Sequence, residues 1–94
     1  MRTVIAFDIS NDRTRYRAVR ALLDYAVRVQ KSVFEAPDLS HAAYLRLRSQ
    51  LEGLYDPSTD SLRYYRLCAA CCERIHHEGV APGILDPPEP FRII

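Results

Sequence analysis

An α+β fold, with an antiparallel sheet carrying two helices on one face, is what this 94-residue chain predicts. Three observations carry the prediction. The chain opens on an unbroken apolar run, Val4-Ile5-Ala6-Phe7, of the kind found in covered strands. Two later stretches repeat apolar residues at helical spacing, one from about residue 12 and one from about residue 40. Around them lie segments rich in Val, Phe and Tyr that alternate with polar residues, as half-buried strands do.

Residues 3–9 read as a first strand whose apolar run implies burial on both faces. Asn11 or Asp12 can cap a helix running to about Val27, with Tyr16, Val19, Leu22, Leu23 and Ala26 as its core stripe. Arg13, Arg17 and Arg20 fall on the opposite side, whereas Arg15 falls within the apolar stripe, one turn before Val19 and Leu22. Residues 28–35, RVQKSVFE, alternate and read as one second strand, stopped by Pro37. Asp38 or Ser40 can start a second helix, with Tyr44, Leu47, Leu51 and Leu54 along one face and Gly53 near its end. DPSTDS, 56–61, is turn chemistry, LRYYRL, 62–67, is a third strand, and residues 73–79 are read as a fourth.

The predicted order is β-α-β-α-β-β, close to a ferredoxin-like sandwich. Helices on one face leave the other apolar, and a homodimer closing through the sheet would explain why residues 4–7 lack polar alternation. Residues 1–79 form this domain. Residues 80–94 form a Pro-rich tail, and its Phe-Arg-Ile-Ile end suggests a short strand pairing with an edge of the partner subunit.

Composition narrows the function classes. A hydrophobic share of 48% and a charged share of 27% belong to a soluble globular protein. No apolar run reaches the ~20 residues of a membrane span, and the first residues lack the features of a signal peptide, so a cytoplasmic location is expected. The net charge is +1, yet all the cationic side chains but Lys31 are Arg, the residue suited to bidentate phosphate contact. Such a bias fits nucleic acid, and it also fits a GC-rich genome.

Asp8, at the end of the first strand, has two readings. It caps the first helix, or it holds a metal. Mg²⁺ binds through one or two carboxylates completed by waters and substrate phosphates, and a two-fold axis would bring two copies of Asp8 together. No His stands near Asp8 in sequence, and His41, His76 and His77 read as surface groups. Arg13, Arg17 and Arg20 form either a phosphate-contacting face or a solvated one. Arg15 could neutralise Asp8 or hold a phosphate beside it. Cys68, Cys71 and Cys72 offer half of a zinc site, but a second ligand pair at the usual distance is missing, which favours free thiols packed as small apolar groups.

VIAFDIS-ND, then an Arg-bearing helix, then RVQKSVFEA, then a strand ending YRLC together resemble the small adaptation protein of CRISPR systems, the Cas two family. The resemblance covers residues 1 to about 79; QxSVFE and the strand-terminal Asp8 are its most specific parts. It implies a ferredoxin-like homodimer that takes part in spacer acquisition, bridges dimers of the integrase subunit (Cas one) and lies along DNA. It also implies a metal-dependent (Mg²⁺) endonuclease acting on RNA or double-stranded DNA, or a non-catalytic scaffold in members whose nuclease activity is dispensable. By position, Asp8 matches the family's metal-associated aspartate. Arg15, Arg17, Arg28, Ser32 and Phe34 match positions near its active face. Phe7 departs from the pattern, standing where many members have Tyr, which removes a hydroxyl.

Overall fold

The computed structural model describes residues 1–80. They form β1 (Arg2–Asp8), α1 (Asp12–Leu23), β2 (Val27–Gln30), β3 (Val33–Ala36), α2 (His41–Glu52), β4 (Ser61–Leu67) and a single helical turn, α3 (Ala69–Cys72). The four strands make one antiparallel sheet in the order β2-β3-β1-β4, so β1 lies inside it and β2 and β4 form its edges. This is the ferredoxin-like order β-α-β-β-α-β, the expected fold class with a corrected sequence of elements.

Three expectations need correction. Residues 28–35 are two strands, not one: Gln30 pairs with Val33, so the chain reverses at Lys31-Ser32, next to a register shift between Arg28 and Gln30. Residues 73–79 form no strand; the chain makes the α3 turn after β4 and then runs without regular structure to Val80. Ala69 and Ala70 favour that turn, closed by Cys72 N–H to the Cys68 carbonyl at 3.0 Å. Third, α1 ends at Leu23 rather than Val27, and Tyr16 and Leu23 of the expected core stripe are 61% and 51% exposed. Its inward side is carried by Ala18 and Leu22, with Val19 and Ala21 packed partly against the core. The tail strand expected after Gly79 lies outside the described residues, Val80 aside.

Side-chain parity sorts the sheet into two faces. Thr3, Ile5 and Phe7 of β1 point to the helices together with Phe34 and Ala36 of β3, and all five are buried. They meet Ala18 and Leu22 of α1 and Leu47 and Leu51 of α2 in one core, where Phe7 stacks on Phe34 with ring centroids 6.0 Å apart. The opposite parity places Val4, Ala6 and Asp8 on the other face, beside Tyr65, Arg63 and Ser61 of β4. Val4 and Ala6 are half-buried there and Asp8 is exposed.

Both long helices start on side-chain caps. Asn11 accepts from Thr14 N–H at 2.9 Å and Ser40 from Ala43 N–H at 3.1 Å, each satisfying one amide that the first turn leaves over. The capping reading of Asp8 is thereby removed, because Asn11 does that work for α1.

Candidate active site at the end of β1

β1 brings Asp8 to the rim of the sheet, where the chain leaves the ladder and turns into α1. A shallow cavity of about 280 Å³ opens there, lined by Phe7, Asp8, Ile9, Arg15, Lys31 and Ser32. Three separate parts of the chain thus meet at one carboxylate: the end of β1, the first turn of α1, and the β2–β3 turn. A backbone hydrogen bond from Phe7 N–H to the Ser32 carbonyl, 3.0 Å, ties the first to the third. Among the described residues nothing donates a hydrogen bond to the Asp8 carboxylate, so its lone pairs face solvent.

Arg15 is held in a different way from the other arginines. Its guanidinium donates to the Ile9 carbonyl at 2.9 Å and to the Asp12 carboxylate, which ties the β1–α1 connection into a closed turn. It lines the cavity with Asp8 but forms its ion pair with Asp12. Arg13 and Arg17 are exposed on the outer side of α1 and, among the described residues, make no ion pair or side-chain hydrogen bond within the chain. Arg20 donates to the Tyr16 hydroxyl at 3.1 Å and lies over that ring. Arg28, on the edge strand β2, donates to the Lys31 carbonyl and covers the Phe34 ring at 5.7 Å. Ser32 reaches the cavity, while Phe34 is fully buried and acts on the site only by supporting Phe7. The structure therefore gathers Asp8, Arg15 and Ser32, sets Arg13, Arg17 and Arg20 on a separate helix face, and puts Arg28 at the sheet edge.

Two residues escaped the sequence reading. Lys31 lines the cavity because it sits in the turn hidden inside what looked like one strand. Asp60 accepts from Ser10 N–H and Ser10 Oγ, both at 3.2 Å, and from Asp56 N–H at 3.0 Å, so it pins the segment after Asp8 to the turn before β4. Its carboxyl is held below the ordinary value, first by the Asp56 N–H, with the Ser10 and Thr59 donors adding to the effect. The only sequence signal for it was the turn composition of DPSTDS.

As a metal site, one copy of the chain supplies little. Among the described residues no group of three or more His, Cys, Asp or Glu side chains could hold an ion. Asp8 nevertheless suits Mg²⁺, an ion that takes one or two carboxylates and leaves its other positions to water and phosphate. No helix among the described residues is long and apolar enough to cross a membrane.

Residues 1–75 match the family described as CRISPR associated protein Cas2. The chain belongs to the Cas2 family. It is 45% identical over 92% of its length to the CRISPR-associated endoribonuclease Cas2 1 of Chloroflexus aurantiacus, of which 88% is covered. Among solved structures it resembles a hypothetical protein from Thermus thermophilus, with a TM-score of 0.77 and 32% identity, over 86% of this chain and 93% of that one. It is also similar to a chain of a partial Cas6-RT-Cas1–Cas2 complex, with a TM-score of 0.69 and 26% identity, over 81% and 88% of the two chains. The sheet order and the strand-terminal Asp8 described above are thus features of a Cas2 family member.

Proposed function

We propose that the chain works in CRISPR adaptation as a homodimer paired through the sheet, and that the paired Asp8 carboxylates form a Mg²⁺-dependent site for phosphodiester hydrolysis. One observation carries this reading: Asp8 shares its face of β1 with Val4 and Ala6, so a second copy packed there brings a second Asp8 to the same rim. A divalent cation held between the two would neutralise charge on the scissile phosphate and make a water more acidic. The rest falls to the chain's own side chains. Arg15 fixes the turn that frames Asp8, while Lys31 adds a cation and Ser32 a hydroxyl on the same rim. Arg13, Arg17, Arg20 and Arg28 contact the phosphate backbone outside the site and read no bases. The name carried by the Chloroflexus relative makes RNA the first substrate to try, with duplex DNA second.

A second reading is favoured by the likeness to a chain of a Cas1–Cas2 complex and by the sparse ligand set of Asp8. In it the dimer is a spacer that holds two integrase dimers (Cas one) a fixed distance apart along DNA. Asp8→Ala separates the two, since an exposed side chain can be removed without opening the core. The nuclease reading expects metal-dependent cleavage of RNA or duplex DNA to disappear while DNA binding and thermal stability stay at parental values. Cleavage by the variant equal to the parent's overturns the assignment of Asp8. A parent that cuts neither substrate at any Mg²⁺ concentration, yet supports spacer acquisition, leaves the scaffold.

A further inference from the structure

Cys68, Cys71 and Cys72 follow β4 at the end of the sheet opposite Asp8, since β4 runs from Ser61, the partner of Asp8, to Leu67, the partner of Arg2. The proposed function makes no use of them. Cys68 and Cys71 are exposed, and Cys72 is half-buried, its thiol turned toward the Leu67 carbonyl at 3.9 Å. Backbone bonds from Cys72 N–H to the Cys68 carbonyl and from Glu73 N–H to the Ala69 carbonyl close one helical turn through the cluster. Residues three apart on such a turn have Cα atoms about 5 Å apart on the same side. That separation lies inside the range a disulfide bridges.

We infer that Cys68 and Cys71 form a dithiol–disulfide site, with a low-molecular-weight disulfide as oxidant and Cys68 as the attacking thiol. The electrostatics agree with that division of labour. The Cys71 N–H and then the Cys71 thiol favour the Cys68 thiolate and hold its pKa below the ordinary thiol value. Cys71 is pushed up, first by donating its S–H to Cys68 and then by the charge there. A cavity of about 600 Å³ borders Cys68, lined also by Leu67, Ala69, Pro37 and Cys72, with Arg2 and Glu73 as charged residues of its lining. It leaves room for an incoming disulfide beside the attacking sulfur.

The step balances as two exchanges. The Cys68 thiolate attacks one sulfur of glutathione disulfide; a Cys68–glutathione bond forms, the original S–S bond breaks, and one glutathione thiolate leaves. Cys71 gives its proton to solvent and attacks Cys68 Sγ. The Cys68–Cys71 bond forms and the second glutathione leaves as thiolate. The protein dithiol loses two electrons and two protons, and one glutathione disulfide is reduced to two glutathiones. Cys72, turned inward, takes no part.

The test uses the full chain, reduced, then incubated with glutathione disulfide at pH 7 and read by intact mass and by mapping of the peptides. The parent and Cys72→Ser are expected to lose two hydrogens and end as one intramolecular disulfide. Cys71→Ser is expected to stop as a mixed disulfide carrying one glutathione on residue 68, and Cys68→Ser to lose fast reaction. Alkylation of the reduced parent by iodoacetamide at pH 7 should label Cys68 faster than Cys71. A disulfide that needs Cys72, glutathione resting on residue 71 instead of 68, or equal alkylation rates would each overturn the inference. Unchanged thermal unfolding of the three variants in the reduced state guards against a folding artefact.

Discussion

Changing Arg13 and Arg17 to Gln removes two exposed cations that no side chain of the described residues engages, and leaves the inner face of α1 untouched. If α1 lies along a duplex, each of these guanidinium groups releases counterions on binding. The slope of log K against log salt should then become shallower by about 0.9 per contact, or about 1.8 for the pair in each engaged protomer. Between about 50 and 200 mM salt, a fourfold change, that difference amounts to about twelvefold in affinity that the parent loses and the double variant does not. Arg15→Gln is the internal control. Its guanidinium is already committed to Asp12 and the Ile9 carbonyl, so the slope should stay near the parent's while the melting temperature falls. Fluorescence anisotropy of a labelled duplex over a salt series reads the parent and both variants. An unchanged slope in the double variant, or a change from Arg15→Gln as large as that from either exposed arginine, would refute the assignment of the phosphate track to the outer face of α1.

Ala6→Glu places a charge on the sheet face opposite the helices, and sedimentation should show the parental dimer replaced by monomer with the helical circular dichroism retained; a parent that sediments as a monomer sinks the pairing. Leu22→Ala hollows the fully buried contact between α1 and the sheet and should cost about 2–5 kcal/mol in urea unfolding with an unchanged slope. A loss below about 1 kcal/mol would show that this core is not the one that holds the fold. Burial, against the opposing pull of the Arg48 charge, pushes the Tyr64 phenol up to about 12. The unfolded chain gives up this proton near pH 10 and the folded one later, so this contribution to stability is whole below pH 10 and is lost as the pH rises toward 12. Absorbance titration of the folded protein should show one tyrosine lagging behind the rest, and Tyr64→Phe should remove that component.

Where single side chains announce their role, the sequence was readable. Val4 to Phe7 marked the inner strand, Leu47 and Leu51 marked the buried side of α2, and Asp8 stood out because a carboxylate ends an apolar run. The β2–β3 turn was hidden for a physical reason: two-residue hairpins are signalled by Asn-Gly or Gly-rich pairs, and this one is Lys31-Ser32. Lys31 was missed for the same reason, since a residue assigned to a strand is not looked for at a rim. Tyr16 misled because helical spacing cannot tell a core aromatic from one lying under a surface arginine, which is where Arg20 keeps it. In ERIHHEG the apparent alternation rested on Ile75 alone, too little apolar surface to hold an edge strand. Asp60 depended on a tertiary meeting with Ser10 that no local pattern records.

The inner position of β1 also orders events during synthesis. One of its edges pairs with β3, made soon after it, but the other pairs with β4, which closes only when residues 61–67 have emerged. Until then the most apolar strand of the chain presents a row of free amides and carbonyls, a template for any passing strand. A chain halted before Ser61 is therefore expected as a self-associating ribbon, not a smaller version of the fold. The last strand of the sheet acts as a lock that keeps the first one soluble.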